Sequence, residues 1–134
     1  MANISLGTPY QVHVSAAKAA VDATSAVLAV EEGPHGVRSN VIAPGLIAGT
    51  EGEDRLSSKA PTGQDLGLFP AGRMGDSRDI ANATVFLFSD AASFVSGQIL
   101  VVDGGFEHLR APVLPYPESV LDPASTKHLI KSRM

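Results

Sequence analysis

The sequence predicts an α/β fold built around a parallel βαβ unit. Two short β-type runs, residues 37–43 and 98–102, each end in a glycine-containing turn. A helical pattern lies between them, and a longer helical pattern precedes the first run. Because consecutive strands joined through a crossover helix pair in parallel, with a right-handed connection, this order predicts a small parallel sheet.

The first predicted helix covers residues 14–32. Its small and apolar residues recur at spacings of three and four, and its many alanines favour both a helix and close packing against a sheet. Gly33-Pro34 ends it, since glycine followed by proline is a common helix stop. Residues 1–12 are predicted to form a loop. The spaced positions are Ala17, Ala20, Val21, Thr24, Val27 and Leu28.

Pro44-Gly45 closes the first strand, and the thirty or so residues to Gly75 show no strong period. Segments of this length without regular structure are often lids or binding loops, and a short helix within it is also compatible with the sequence.

A second helix is predicted to begin at an N-cap of Asp76 or Ser77, with Asp79 in its first turn. Residues 89–96 are predicted to be a polar connection to the last strand. The expected buried stripe consists of Ile80, Thr84, Leu87 and Phe88.

Composition narrows the function. The 134 residues are 44% hydrophobic and 18% charged, as in ordinary globular domains. A net charge of -4 argues against a nucleic-acid partner. The sequence contains no run of 18 apolar residues, so it predicts no membrane-spanning helix. The absence of cysteine excludes a disulfide framework and a thiolate metal site. The four histidines lack metal-ligand spacing, and no GxSxG, GxGxxG or Walker A pattern occurs.

Three places could carry chemistry, and each has a purely structural alternative. Lys18 is either a positioned cation or a solvated lysine on an amphipathic helix. Pro44-Gly45, with Ile47 and Thr50 after it, lies where open α/β sheets bind ligands, or is a simple turn. Residues 102–105 are better explained as a structural turn than as a catalytic element.

Taken together, these pieces resemble the short-chain dehydrogenase/reductase family. The resemblance extends from Gly7 to Phe106 and implies the C-terminal part of a doubly wound (Rossmann-like) parallel sheet, truncated. The order and spacing of the segments, rather than any one of them, make the resemblance specific. The matching segments are residues 15–23, 36–45, 73–75, 79–81, 93–97 and 102–105.

Two details resemble the 2,4-dienoyl-CoA reductase branch. Val14 stands four residues before Lys18, where most of the family has tyrosine, and that branch likewise lacks it. Residues 49–52 resemble a segment of the same branch. Tyr10 lies eight residues before Lys18 and is not assigned the family tyrosine role.

The resemblance implies NADPH-dependent reduction of 2,4-dienoyl-CoA to 3-enoyl-CoA, with an acyl-CoA as the substrate. Lys18 would hold the nicotinamide ribose and help polarise the reacting system. Pro44, Gly45, Ile47 and Thr50 would form the nicotinamide-side loop, and the segment after Thr50 the substrate loop. The family's glycine-rich phosphate-binding turn is missing from this sequence, so the NADPH site is expected to be incomplete.

Two regions are predicted. Residues 1–109 form the family-like portion, and residues 110–134 form a Pro-rich tail. The tail ends in Ser132-Arg133-Met134, which is either a variant of the peroxisomal Ser-Lys-Leu address or a chance tripeptide. Without the first half of the sheet, an uncovered apolar face and edge are expected.

The short chain is therefore either a shortened form of the reductase or a non-catalytic partner of full-length relatives. A homo-oligomer, or association with a full-length homologue, is expected. A third alternative is another short-chain reductase with a different substrate.

Overall fold

A computed structural model describes residues 11–51, 69–108 and 122. Two helices and two strands form its frame: α1 (Val12–Glu31), β1 (Val41–Pro44), α2 (Ser77–Phe88) and β2 (Ile99–Val102). Two short 3-10 turns, Gly33–His35 and Asp90–Ala92, lie between these elements, and a third, Phe106–His108, follows β2. The predicted Pro-rich tail, the terminal tripeptide and the possible short helix after Thr50 lie outside the described residues.

α1 occupies nearly the predicted span, and begins two residues earlier. Val12 therefore belongs to the helix rather than to the predicted N-terminal loop, whose other residues, up to Tyr10, lie outside the description. The 3-10 turn after α1 ends at Gly36, whose φ of 78° is in the left-handed region that glycine adopts without strain. The predicted Gly33-Pro34 stop is confirmed.

The expectation that the alanine-rich stripe of α1 packs closely on the sheet is wrong for its larger members. Val21, Val27 and Leu28 are 54%, 52% and 42% exposed, whereas the buried residue of the helix is Ser25. The hydroxyls of Ser25 and Ser39 lie 2.8 Å apart, which ties α1 to the chain entering β1. A depression of about 530 Å³ lies between α1 and β1, because the described sheet has too few strands to cover this face of the helix.

The parallel βαβ unit is confirmed. β1 pairs with β2 in parallel, with Val41 opposite Ile99 and Pro44 opposite Val102, and α2 lies in the connection between them. β1 is shorter than predicted because Val37 bonds back to the Glu32 carbonyl and residues 38–40 are held largely through side chains. The Asn40 amide, for example, donates to the Val95 carbonyl at 2.9 Å and accepts from the Gln98 amide at 3.0 Å.

α2 begins where the sequence predicts, with Asp76 as its N-cap. Leu87 is buried and Ile80 and Thr84 are half-buried, as expected, but Phe88 is 85% exposed. The inclusion of Phe88 in the buried stripe is wrong, because it follows Leu87 directly and so projects about 100° around the helix from it, past the narrow sheet.

The connection over residues 89–96 is less polar than predicted. It contains the 3-10 turn Asp90–Ala92, and Ala92 is fully buried. Phe94, by contrast, is fully exposed. The core is small and made of short side chains, so the expected uncovered apolar surface is present in the described part of the chain. The buried apolar residues are Ala43, Ile47, Phe69, Leu87 and Ala92.

Candidate functional site

The carboxyl ends of the two paired strands approach each other very closely at Gly45 and Asp103. The Gly45 amide donates to the Val102 carbonyl at 3.0 Å, which extends the ladder beyond Pro44. A Cβ added to Gly45 would lie 2.6 Å from the Asp103 Cβ and 2.8 Å from its Cα. Glycine is therefore needed here for close approach of two backbones, and the crossing brings the segments after both strands to one edge of the sheet.

The segment after β1 is held by a single β-bridge that lies outside the two-stranded sheet. Ile47 and Gly75 form an isolated parallel bridge, in which the Gly75 amide donates to the Leu46 carbonyl at 3.1 Å and the Ala48 amide donates to the Gly75 carbonyl at 2.9 Å. Ile47 is buried, and its side chain packs so closely that a Cβ on Gly75 would lie 2.6 Å from the Ile47 Cδ1.

In this bridge Gly75 bonds the residues on either side of Ile47, so the amide and the carbonyl of Ile47 itself point away from Gly75. Its carbonyl accepts the Thr50 hydroxyl at 2.8 Å. Its amide donates to no group in the described part of the chain. Within residues 11–51 and 69–108 this amide is available to donate a hydrogen bond to a polar ligand or to water.

The segment after β2 forms the opposite wall of the edge. The Asp103 carboxylate accepts from the amides of Gly105 and Glu107, at 2.8 and 2.7 Å, and so holds the turn that follows β2. The rings of Phe69 and Phe106 lie 5.3 Å apart at an interplanar angle of 30°. Asp103 acts here on the backbone around it, in agreement with the structural interpretation of this turn.

An ion pair stands beside the bridge. The Arg73 guanidinium binds the Asp79 carboxylate with both nitrogens, each at 2.7 Å. The Asp79 carboxylate also accepts from the Asp76 amide at 2.9 Å, and Asp76 in turn caps α2. The hydrogen bond from Arg73, the Asp76 amide and the guanidinium charge hold the pKa of Asp79 well below its usual range, and the pKa of Arg73 is raised in return.

Lys18 lies on α1, exposed, and forms no hydrogen bond or ion pair within the described residues. It is seven residues before Ser25, so the two share one helix face about 10 Å apart along the axis. Ser25 is bonded to Ser39 at the entrance to β1.

The structure thus gathers four of the five residues predicted for the site, Pro44, Gly45, Ile47 and Thr50, in one short segment at the sheet edge. It places Lys18 on α1, without a hydrogen bond or ion pair to them. Across residues 11–51 and 69–108, no cluster of three potential metal ligands occurs. No helix in the same part of the chain is both long and apolar enough to cross a membrane.

Sequence reasoning did not identify the Arg73–Asp79 pair as part of the site. The sequence places Asp79 in the first turn of a helix and both residues in family-like segments, without relating one to the other. The available signal was an arginine placed six residues before the third position of a capped helix. At that spacing the Arg73 guanidinium can extend past the N-cap to the Asp79 carboxylate, but the contact is recognisable only once the conformation of the intervening turn is known.

Comparison with known proteins identifies relatives of this chain. The family model described as enoyl-(acyl carrier protein) reductase matches residues 2–107. The peroxisomal 2,4-dienoyl-CoA reductase ((3E)-enoyl-CoA-producing) of Saccharomyces cerevisiae is 50% identical over 123 residues, which cover 90% of this chain and 42% of that protein. The enzyme of the same description from Danio rerio is 50% identical over 100 residues, 74% of this chain and 33% of that one.

Solved structures agree on the fold. A gluconate 5-dehydrogenase from Burkholderia cenocepacia in complex with NADP and tartrate superimposes with a TM-score of 0.70 at 32% identity, over 81% of this chain and 42% of that one. A short chain dehydrogenase from Bacillus anthracis superimposes with a TM-score of 0.62 at 35% identity, over 75% and 39%. The chain therefore spans less than half the length of these relatives.

Proposed function

Because this chain belongs to the short-chain dehydrogenase/reductase family, we propose that it is the C-terminal part of an NADPH-dependent 2,4-dienoyl-CoA reductase. The observation that carries the proposal is 50% identity to two peroxisomal enzymes of that description, from yeast and fish. The segment at the carboxyl edge of β1 supports it as the place for the nicotinamide side of the cofactor, because the Ile47 amide has no partner among the described residues.

The residues present fit that part of the cofactor. The carboxamide of a nicotinamide offers a carbonyl oxygen, which the Ile47 amide can bond. Thr50 fixes the Ile47 carbonyl through its hydroxyl. Pro44 is the last residue of β1, and the ladder bond of the next residue, Gly45, to the Val102 carbonyl holds the start of this segment at the sheet edge.

NADPH, when bound, supplies a hydride. Reduction of a 2,4-dienoyl thioester would take up that hydride and a proton, so that a dienoyl-CoA, NADPH and a proton would become a 3-enoyl-CoA and NADP. Negative charge would develop on the thioester oxygen during hydride addition. The Lys18 ammonium would hold the nicotinamide ribose and stabilise that developing oxyanion.

The acyl-CoA substrate and a peroxisomal location belong to the same proposal. Both follow the descriptions of the yeast and fish relatives, and the terminal Ser132-Arg133-Met134 supports the location from sequence. Association into a homo-oligomer, or with a full-length homologue, is also part of the proposal. Support comes from Phe88 and Phe94, which are large apolar side chains left exposed.

The first test is NADPH affinity of the purified 134-residue chain by calorimetry, followed by turnover of 2,4-dienoyl-CoA. Stoichiometric binding with dienoyl-CoA turnover supports the proposal. A 3-oxoacyl thioester is the matched control substrate, because a 3-oxoacyl-(acyl-carrier-protein) reductase of Haemophilus influenzae is 44% identical over 101 residues. Turnover of the control alone would move the chain to the other short-chain reductases, and co-purification with a full-length homologue without cofactor would make it a non-catalytic partner.

Lys18→Ala tests the proposed cation. We expect activity to fall by about a hundredfold or more in any form of the protein that shows turnover, because one preorganised charge at a developing oxyanion is removed. Asp22→Asn, one turn later on the same helix, is the control and is expected to leave turnover close to that of the wild type. Near-wild-type activity of Lys18→Ala would remove this residue from the mechanism.

A further inference from the structure

We propose that the Arg73–Asp79 ion pair is a positioning element for the segment after β1, residues 46–50, and thereby sets the orientation of the Ile47 amide. The assignment of that segment to NADPH rests on the proposed function. The mechanical part of the inference does not, and it can be tested without a cofactor.

The contacts form a continuous path from the ion pair to Ile47. The Arg73 guanidinium bonds both carboxylate oxygens of Asp79 at 2.7 Å and also donates to the Met74 carbonyl at 2.9 Å. The same carboxylate accepts from the Asp76 amide at 2.9 Å. The peptide groups on both sides of Gly75 are therefore tied to one point at the start of α2.

Gly75 then passes this constraint to the segment after β1. Its amide and carbonyl bond the carbonyl of Leu46 and the amide of Ala48, at 3.1 and 2.9 Å. The Leu46 carbonyl shares a peptide plane with the Ile47 amide, and the Ala48 amide shares one with the Ile47 carbonyl. These two bonds therefore fix the directions of both Ile47 backbone groups, and the carbonyl meets the Thr50 hydroxyl.

The ion pair is not needed to begin α2. The reciprocal bonds between Asp76 and Asp79 already cap the helix, since the Asp76 carboxylate accepts from the Arg78 and Asp79 amides at 2.8 and 3.1 Å. Arg73 lies before this cap, in the chain that leads to Gly75. Its two-pronged contact therefore adds a constraint on the segment before the helix, and a lysine could supply the charge but not the fork.

The test is amide hydrogen exchange by NMR on the full chain, comparing the wild type with Arg73→Gln. We expect the amides of Ala48 and Gly75 to exchange about two- to fivefold faster in the variant, as for loss of an exposed ion pair. The amides of Val41 and Gly45, which bond the β2 side at 2.8 and 3.0 Å, should keep their wild-type rates.

Arg78→Gln is the matched control. It removes the same charge one turn away, from a side chain with no hydrogen-bond or ion-pair partner within the described residues, and it should leave all four amides unchanged. Arg73→Lys should give intermediate rates, and it also supplies the answer if Arg73→Gln does not fold. Unchanged exchange at Ala48 and Gly75 in both Arg73 variants would overturn the proposal, as would equal acceleration of all four amides.

NADPH affinity supplies the second measurement. In a chain that binds NADPH, Arg73→Gln should weaken binding while Arg78→Gln does not. If the wild-type chain binds no NADPH, the proposed function fails for this chain. The exchange data still decide whether the ion pair positions the segment, so the two failures remain distinguishable.

Discussion

Replacing Gly45 with alanine should destabilise the protein through one atom. The new Cβ would lie 2.6 Å from the Asp103 Cβ and 2.8 Å from the Asp103 Cα, well inside normal carbon contact distances. Asp103 cannot rotate out of the way, since its Cα belongs to the backbone and its carboxylate is bonded to the amides of Gly105 and Glu107. Overpacking of this kind costs about 1–3 kcal/mol, and the immobility of the neighbour favours the upper part of that range.

The assay is urea unfolding at neutral pH, followed by far-UV circular dichroism. Gly33→Ala is the matched control, because it adds the same atom where nothing lies within 4 Å and the backbone needs no left-handed conformation. We expect the control to change the free energy of unfolding by less than about 1 kcal/mol, in the stabilising direction if at all. Equal midpoints for the two variants would refute the close crossing of the strand ends.

Two further predictions concern the start of α2. Asp76→Ala should lower the free energy of unfolding by about 1 kcal/mol, because the amides of Arg78 and Asp79 lose their cap, whereas Asp76→Asn should change it by only a few tenths. A loss as large in Asp76→Asn would contradict the capping role. Arg73 and the Asp76 amide depress the pKa of Asp79 in the folded state. The contribution of the Asp79 carboxylate to folding stability is therefore fully present above about pH 4. That contribution is lost as pH falls toward the folded-state pKa. As the pH is lowered from about 5 to 2, the unfolding temperature should therefore fall less steeply for Asp79→Asn than for the wild type. Identical slopes of unfolding temperature against pH would argue against the depressed pKa of Asp79.

The elements that the sequence predicted well depend on local signals. Gly33-Pro34 ends α1, Pro44-Gly45 ends β1, and Asp76 begins α2, each by backbone geometry or capping that involves only neighbouring residues. The parallel pairing followed from the order of these elements, because a strand–helix–strand connection has few alternatives.

The errors concern what each helix face meets. Val21 and Leu28 of α1 and Phe88 of α2 have the spacing of buried residues, yet they are exposed because two short strands do not extend beneath them. Periodicity identifies which side of a helix is apolar. It cannot report whether a neighbouring strand is there to cover that side.

The sequence by itself determined the order and type of the elements, the family resemblance, and a candidate segment from Pro44 to Thr50. Those conclusions depend on residues close together in the chain. Only the tertiary structure decided that Gly45 packs against Asp103, that Gly75 pairs with Ile47 in a β-bridge, and that Arg73 bonds Asp79. These contacts depend on the relative placement of two strand ends and a helix start, which the pairing of β1 with β2 fixes and local sequence does not encode.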